Sequence, residues 1–235
     1  MNAIKMYCLP FAGGNSYSYR ALQEHVVFNE LFSIMSIELP GRGRRIREAL
    51  LEDIELLTDD ALQQLLKFDL TQPYVIYGHS MGALLGYLIT KRLIKKQLPL
   101  PKHLFFSGCS APRFMTQTAI KSDLSPTDFT QILRELGGCP PEILDDPQLL
   151  EFFAPVLRAD FKAVEVYDYQ ADTPFNIGIT VLTGDRDSET PKNYATEWQK
   201  ETIQPIFIQE FKGDHFFIFN YLDEIAAIFK QQLSK

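Results

Sequence analysis

Short apolar runs alternate along this chain with longer stretches whose apolar residues recur at helical spacing. The runs are Ile4–Pro10, Phe32–Leu39, Tyr74–Tyr77, Leu104–Ser107, Ile179–Thr183 and Ile206–Phe211. Tyr74-Val75-Ile76-Tyr77 is apolar throughout instead of alternating, as a strand covered on both faces must be. Between the runs, Ile54, Leu57, Ala61, Leu62, Leu65 and Leu66 fall on one helix face, and so do Leu84, Leu85, Leu88, Ile89 and Leu93. The alternation predicts an α/β fold, a mostly parallel sheet of about six to seven strands with helices on both faces.

One stretch breaks the rhythm. Residues 111–176 carry helical patterns but no convincing strand, which is too long for a simple crossover and predicts a helical insertion on top of the sheet. Its segments Phe129–Leu136, Pro147–Leu157 and Phe161–Tyr169 hold many aromatic residues that look exposed. A helical lid over an apolar cleft would account for them; the plainer alternative is a two-helix excursion packed on the core. No repeat, low-complexity tract or composition shift interrupts the pattern, so residues 1–235 are expected to form a single domain.

Charge narrows the partners. A net charge of −7 repels nucleic acid and anionic lipid at long range, so neither is an expected partner, and an acidic partner would have to meet a local basic patch. No apolar stretch approaches the roughly 20 residues that span a bilayer, and Met1–Met6 runs into the first strand without the features of a signal peptide. The expected location is the cytoplasm and the expected state a monomer. Cys8, Cys109 and Cys139 are odd in number and far apart, so they signal neither a disulfide framework nor a metal site, and each reads as a small buried residue. No metal or cofactor is expected.

Gly78-His79-Ser80-Met81-Gly82 lies between the buried strand and the helical stretch after it, the context of a nucleophile elbow. Its glycines remove side chains where strand and helix approach, and Gly82 and Gly86 let the helix lie close to its strand. A serine hydroxyl needs a base, and the base needs a carboxylate to hold its tautomer. In the α/β-hydrolase fold the chain order is serine, acid, histidine. His215 follows the last apolar run and is the candidate base, whereas His103 and His25 read as surface residues and His79 as the variable member of the elbow. Thr183-Gly184-Asp185-Arg186-Asp187 offers two acids after the preceding run; Asp187 is chosen, with Asp185 expected to cap the turn.

An oxyanion needs two donors. The Met81 amide at the helix N-terminus is one, and the loop Leu9-Pro10-Phe11-Ala12-Gly13-Gly14 supplies the other, at Ala12. Arg42, Arg44, Arg45 and Arg47 form a basic cluster after Glu38-Leu39-Pro40-Gly41, read either as a solvated loop or as a contact for phosphate or an acidic partner. Phe11, Arg42 and Arg44 are the candidate substrate or carrier contacts.

Taken together these segments resemble the type II thioesterases of non-ribosomal peptide and polyketide synthesis. Leu9–Gly14, Glu38–Gly43, Gly78–Gly82, Leu136–Pro140, Leu157-Arg158-Ala159-Asp160-Phe161 and Gly213–Phe216 look like family segments in the family's order, over nearly the whole chain. The resemblance implies hydrolysis of acyl groups stalled on the phosphopantetheine arm of acyl or peptidyl carrier domains. It also implies a Ser80, Asp187, His215 triad, oxyanion donors at Ala12 and Met81, and a mobile helical lid. An esterase for free small esters, an acyl-CoA thioesterase, a chain-terminating thioesterase and a catalytically silent binding module are the competing readings.

Overall fold

The computed structural model describes residues 3–115 and 120–234. Six strands, β1 (Ile4–Leu9), β2 (Phe32–Ser36), β3 (Tyr74–His79), β4 (His103–Ser107), β5 (Gly178–Gly184) and β6 (Phe207–Phe211), form one sheet in the order β2-β1-β3-β4-β5-β6. Every neighbouring pair is parallel. The helices in chain order are α1 (Arg20–Glu24), α2 (Val26–Leu31), α3 (Ile54–Leu65), α4 (Met81–Lys95), α5 (Pro112–Met115), α6 (Pro126–Leu136), α7 (Pro141–Asp145), α8 (Pro147–Glu165), α9 (Lys192–Thr196) and α10 (Leu222–Leu233).

All the predicted runs contain strands, and the period of two within them sorts the core. Tyr7, Leu9, Tyr74, Ile76, Leu104 and Phe106 face α3 and α4, while Met6, Cys8, Val75, Tyr77 and Phe105 face α1, α2 and α10. The largest boundary error is in the second run, which was predicted to Leu39 and ends at Ser36. Its neighbour sets the limit: Cys8 is the last residue of β1 in register with β2, and after the Ile37 amide donates to the Cys8 carbonyl at 3.0 Å the chain leaves the sheet.

His103 was expected at the surface and is instead the buried first residue of β4. Its register partner is Gly178, where a side chain would press on the imidazole, and its Nε2 lies 2.8 Å from Thr180 Oγ1. His25 is half-buried, 3.3 Å from Asp223. Cys8 and Cys109 are buried as expected, but Cys139 is partly exposed.

Between β4 and β5 the described residues hold α5–α8 and no strand; residues 116–119 of the predicted insertion lie outside the described residues. Phe129, Leu133 and Leu144 form a third apolar cluster with Leu150, Ala154, Leu157 and Phe161, separate from both faces of the sheet. Most aromatics that looked exposed are therefore packed within this segment or, like Tyr167, in the sheet core; the exceptions are Phe152, at 60% exposure, and the half-buried Phe153 beside it. The segments Pro147–Leu157 and Phe161–Tyr169, expected as separate helical patterns, join in the single helix α8, which ends at Glu165 and contains Pro155. Pro155 removes one backbone bond, but packing holds both halves: Leu150 and Ala154 before it, Ala159, Asp160 and Ala163 after it.

Candidate active site

Between β3 and α4 the chain turns at Ser80, whose φ of 54° and ψ of −123° lie where side-chain-bearing residues are strained. The turn is fixed from below by the Ser80 amide, which donates to the Ser107 carbonyl at 2.8 Å. The Ser80 hydroxyl does not cap α4, although the residue occupies the capping position. Glycine is obligatory on either side: a Cβ at Gly78 would enter the Gly82 carbonyl, and one at Gly82 would enter the Leu9 carbonyl. At Gly86, one turn further along α4, a Cβ would come within 2.9 Å of Phe106 and 3.0 Å of Ile76.

The loops after β5 and β6 are stitched together. The Gly213 amide donates to Asp185 Oδ1 at 2.8 Å, and the Arg186 amide to the Gly213 carbonyl at 2.9 Å. Asp185 was expected to cap its own turn; its carboxylate instead accepts from an amide of the other loop. The stitching sets His215 Nδ1 2.9 Å from Asp187 Oδ2, with both side chains buried; Asp187 Oδ1 accepts from the Glu189 amide at 3.0 Å. Facing a carboxylate, Nδ1 carries the proton and Nε2 is left as a base.

His79 underlies this arrangement. It is fully buried, its ring centroid is 4.8 Å from that of His215, and its Nδ1 is 2.9 Å from Ser107 Oγ. Burial, reinforced by electrostatic repulsion from the neighbouring His215 ring when both would be charged, holds its pKa well below the ordinary 6.5, so the ring is neutral.

Ser80 and His215 share the wall of a cavity of about 410 Å³, with Phe11, Ala12, Leu136, Gly138 and Phe153 among its other residues. Behind it a recess of about 60 Å³ is bounded by Ala12, Ser80, Met81, Cys109, Phe161 and His215, and Lys121 pairs with Glu189 at its edge. A larger cavity of about 740 Å³, between α6 and α8, touches none of the predicted catalytic residues. Ala12 and Met81 therefore flank Ser80 from opposite elements, the loop after β1 and the first turn of α4. In that loop the Gly13 amide donates to Asp160 Oδ2 at 2.7 Å and the Gly14 amide to the Phe11 carbonyl at 2.8 Å. Phe11 packs edge-on against His79 and Phe216, with ring centroids 5.8 and 5.0 Å apart.

The arginine cluster does not act as one surface. Arg42, expected to contact substrate or carrier, is only 3% exposed and is bound to Asp160 at 2.5 and 2.7 Å, so its guanidinium faces inward. Arg45 is held by Glu48 and Asp60, whereas Arg44 is exposed, 3.6 Å from Glu38. Asp160 was missed as a site residue because its partner lies 118 residues away, and the only signal was its place in the Leu157–Phe161 segment. Among the described residues no cluster of His, Cys, Asp and Glu could hold a metal ion, and no helix is long and apolar enough to cross a membrane.

Residues 4–233 match the family model for the thioesterase domain. The gramicidin S biosynthesis protein GrsT of Aneurinibacillus migulanus is 29% identical over 98% of this chain and 89% of its own length. Among solved structures, the RedJ thioesterase of the prodiginine biosynthetic pathway in Streptomyces coelicolor is 30% identical, with a TM-score of 0.89 over 96% of this chain and 91% of that one. YbtT, a type II thioesterase from the yersiniabactin NRPS/PKS pathway, is 27% identical, with a TM-score of 0.85 over 99% and 92%.

Proposed function

The chain belongs to the thioesterase domain family, and from that premise we propose that it is an editing enzyme that hydrolyses stalled acyl groups from the phosphopantetheine arm of carrier domains in non-ribosomal peptide or polyketide synthesis. Its fold is the α/β-hydrolase fold, and its activity is that of a thioesterase. The observation that carries the site assignment is the 2.9 Å contact of Asp187 with His215, which lines the same cavity as Ser80.

In this reading His215 Nε2 takes the Ser80 proton as Oγ attacks the thioester carbonyl carbon, and the charge that develops on oxygen is met by the amides of Ala12 and Met81. Collapse of the tetrahedral adduct breaks the carbon–sulfur bond, and the sulfur leaves with the proton returned by His215. A water deprotonated by the same nitrogen then cleaves the acyl-serine, releasing the acid and restoring Ser80. The segment carrying α5–α8 acts as the lid, with the acyl group in the cavity below it. Arg44 is the retained candidate for carrier contact.

The test is release of a labelled acyl group from a loaded carrier domain, run beside a matched oxygen ester. Ser80→Ala should lower kcat by about 10⁶-fold and Asp187→Asn by about 10⁴-fold, with folding intact. Turnover surviving Ser80→Ala would refute the nucleophile, and preference for the oxygen ester would refute the editing role.

A further inference from the structure

Arg42 and Asp160 form a buried ion pair in which neither side chain is more than 4% exposed. Burying two charges carries a large desolvation penalty, and well-packed apolar residues often stabilise as well or better, so fold stability is a poor account of such a pair. The hydrogen bonds suggest another. Asp160 Oδ2 also accepts from the Gly13 amide at 2.7 Å and Arg42 donates to the Gly14 carbonyl at 3.4 Å, both on the loop after β1, while a contact to the Pro40 carbonyl at 3.3 Å fixes Arg42 within its own loop after β2.

That loop is a tight turn. The Gly14 amide closes it onto the Phe11 carbonyl, and Gly13 has φ +76°, so a glycine occupies the second central position, as a type II turn requires. Ala12 is the first central residue, whose amide plays no part in closing the turn. Leu157, one helical turn before Asp160 on α8, lies where a Cβ at Gly13 would be. The same face of α8 therefore covers the turn and binds its amide.

We propose that Asp160, held by Arg42, is a positioning residue that sets the orientation of the Phe11–Gly14 turn and so aims the Ala12 amide at the oxyanion. The inference rests on the reading of Ala12 as an oxyanion donor. It makes the second half of α8 part of the catalytic framework, while Phe153, Leu157 and Phe161 of the same helix line the cavity.

The experiment compares the unaltered full-length chain with the double variant Arg42→Met/Asp160→Leu, which removes the buried charges without leaving either unpaired. Two ligands of equal length are titrated: a trifluoromethyl ketone analogue of an acyl-pantetheine, which forms an oxyanion on Ser80, and the thioether that lacks the carbonyl. The double variant should keep its melting temperature and its KM within about threefold, yet lose about 10²-fold in kcat and in ketone affinity, the scale of a misplaced oxyanion donor. Its thioether affinity should not change. Should the double variant not fold, Asp160→Asn carries the same comparison, with a loss of tenfold or more expected. Unchanged kcat, or equal weakening of both ligands, would overturn the positioning role. An unaltered chain that turns over thioester but does not prefer the ketone would overturn the oxyanion reading instead, and an inactive one the proposed function.

Discussion

At the scale of single residues, His79 links catalysis to folding. Its imidazole is buried and neutral against His215, whereas in the unfolded chain it titrates near its ordinary value of 6.5. The unfolded state therefore binds the proton more readily. The stability that follows from keeping this ring neutral is complete above pH 6.5 and is lost as pH falls below it, at up to about 1.4 kcal/mol per unit. Urea unfolding at several pH values between 8 and 5 should show a steeper acid-side decline for the unaltered chain than for His79→Gln; parallel curves would show that the ring is not the sensitive group. That Asp187 meets His215, and that His215 and Ser80 line one cavity, was legible in the sequence because each of the three stands just past an apolar run, and position along the chain is enough to find a strand end. Arg42 could not be told from Arg44, since both sit in one basic stretch and only Asp160, brought in by folding, turns the first inward. His103 was misplaced for a similar reason: the space that accepts it exists because Gly178, on the next strand, has no side chain.

At the scale of elements, the junction of β3 and α4 depends on how closely backbone approaches backbone. A methyl group at Gly82 would meet the Leu9 carbonyl, which belongs to a central strand and cannot yield, whereas at Gly86 it would meet the side chains of Phe106 and Ile76, which can shift by a few tenths of an ångström. Gly82→Ala should therefore destabilise by about 3 kcal/mol or more and remove activity, while Gly86→Ala should lose about 1–3 kcal/mol and keep its active site. Denaturant midpoints and fluorophosphonate labelling of Ser80 check the order, and equal losses would contradict it. The sheet was legible because each strand is a short apolar run bounded by polar or turn residues. The end of β2 was not, because Ile37 and Leu39 stay buried after leaving the sheet, and hydrophobicity records burial, not pairing. The continuity of α8 was not legible because Arg158 and Asp160 interrupt its apolar pattern, and Asp160 is buried only through its pairing with Arg42.

At the scale of the whole molecule, the apolar residues fall into clusters of unequal security. The two sheet clusters are enclosed by strands and helices together, whereas the third holds α6 and α7 to α8 through a few side chains such as Phe129, Leu133 and Leu144. α8 bridges the two regimes: Asp160 and Ala163 are fully buried, Leu149 and Phe152 are largely exposed, and Leu157 and Phe161 serve both the small cluster and the active-site cavity. Local opening requires fewer apolar contacts to be broken where the cluster is small and the exposed fraction high. Hydrogen exchange should therefore be fast in α6, α7 and the first half of α8, slow in α4, and slow again from Ala159 onward, where the helix is tied to Gly13. A stable acyl-pantetheine analogue should slow exchange in α6 and α7, whose Leu133, Leu136 and Ile143 line the cavity, with little effect at α10, which packs on one face of the sheet and does not line the cavity. Protection equal to that of α4 across all of α6–α8, without ligand, would mean that this segment is a fixed wall and that the acyl group enters by another route.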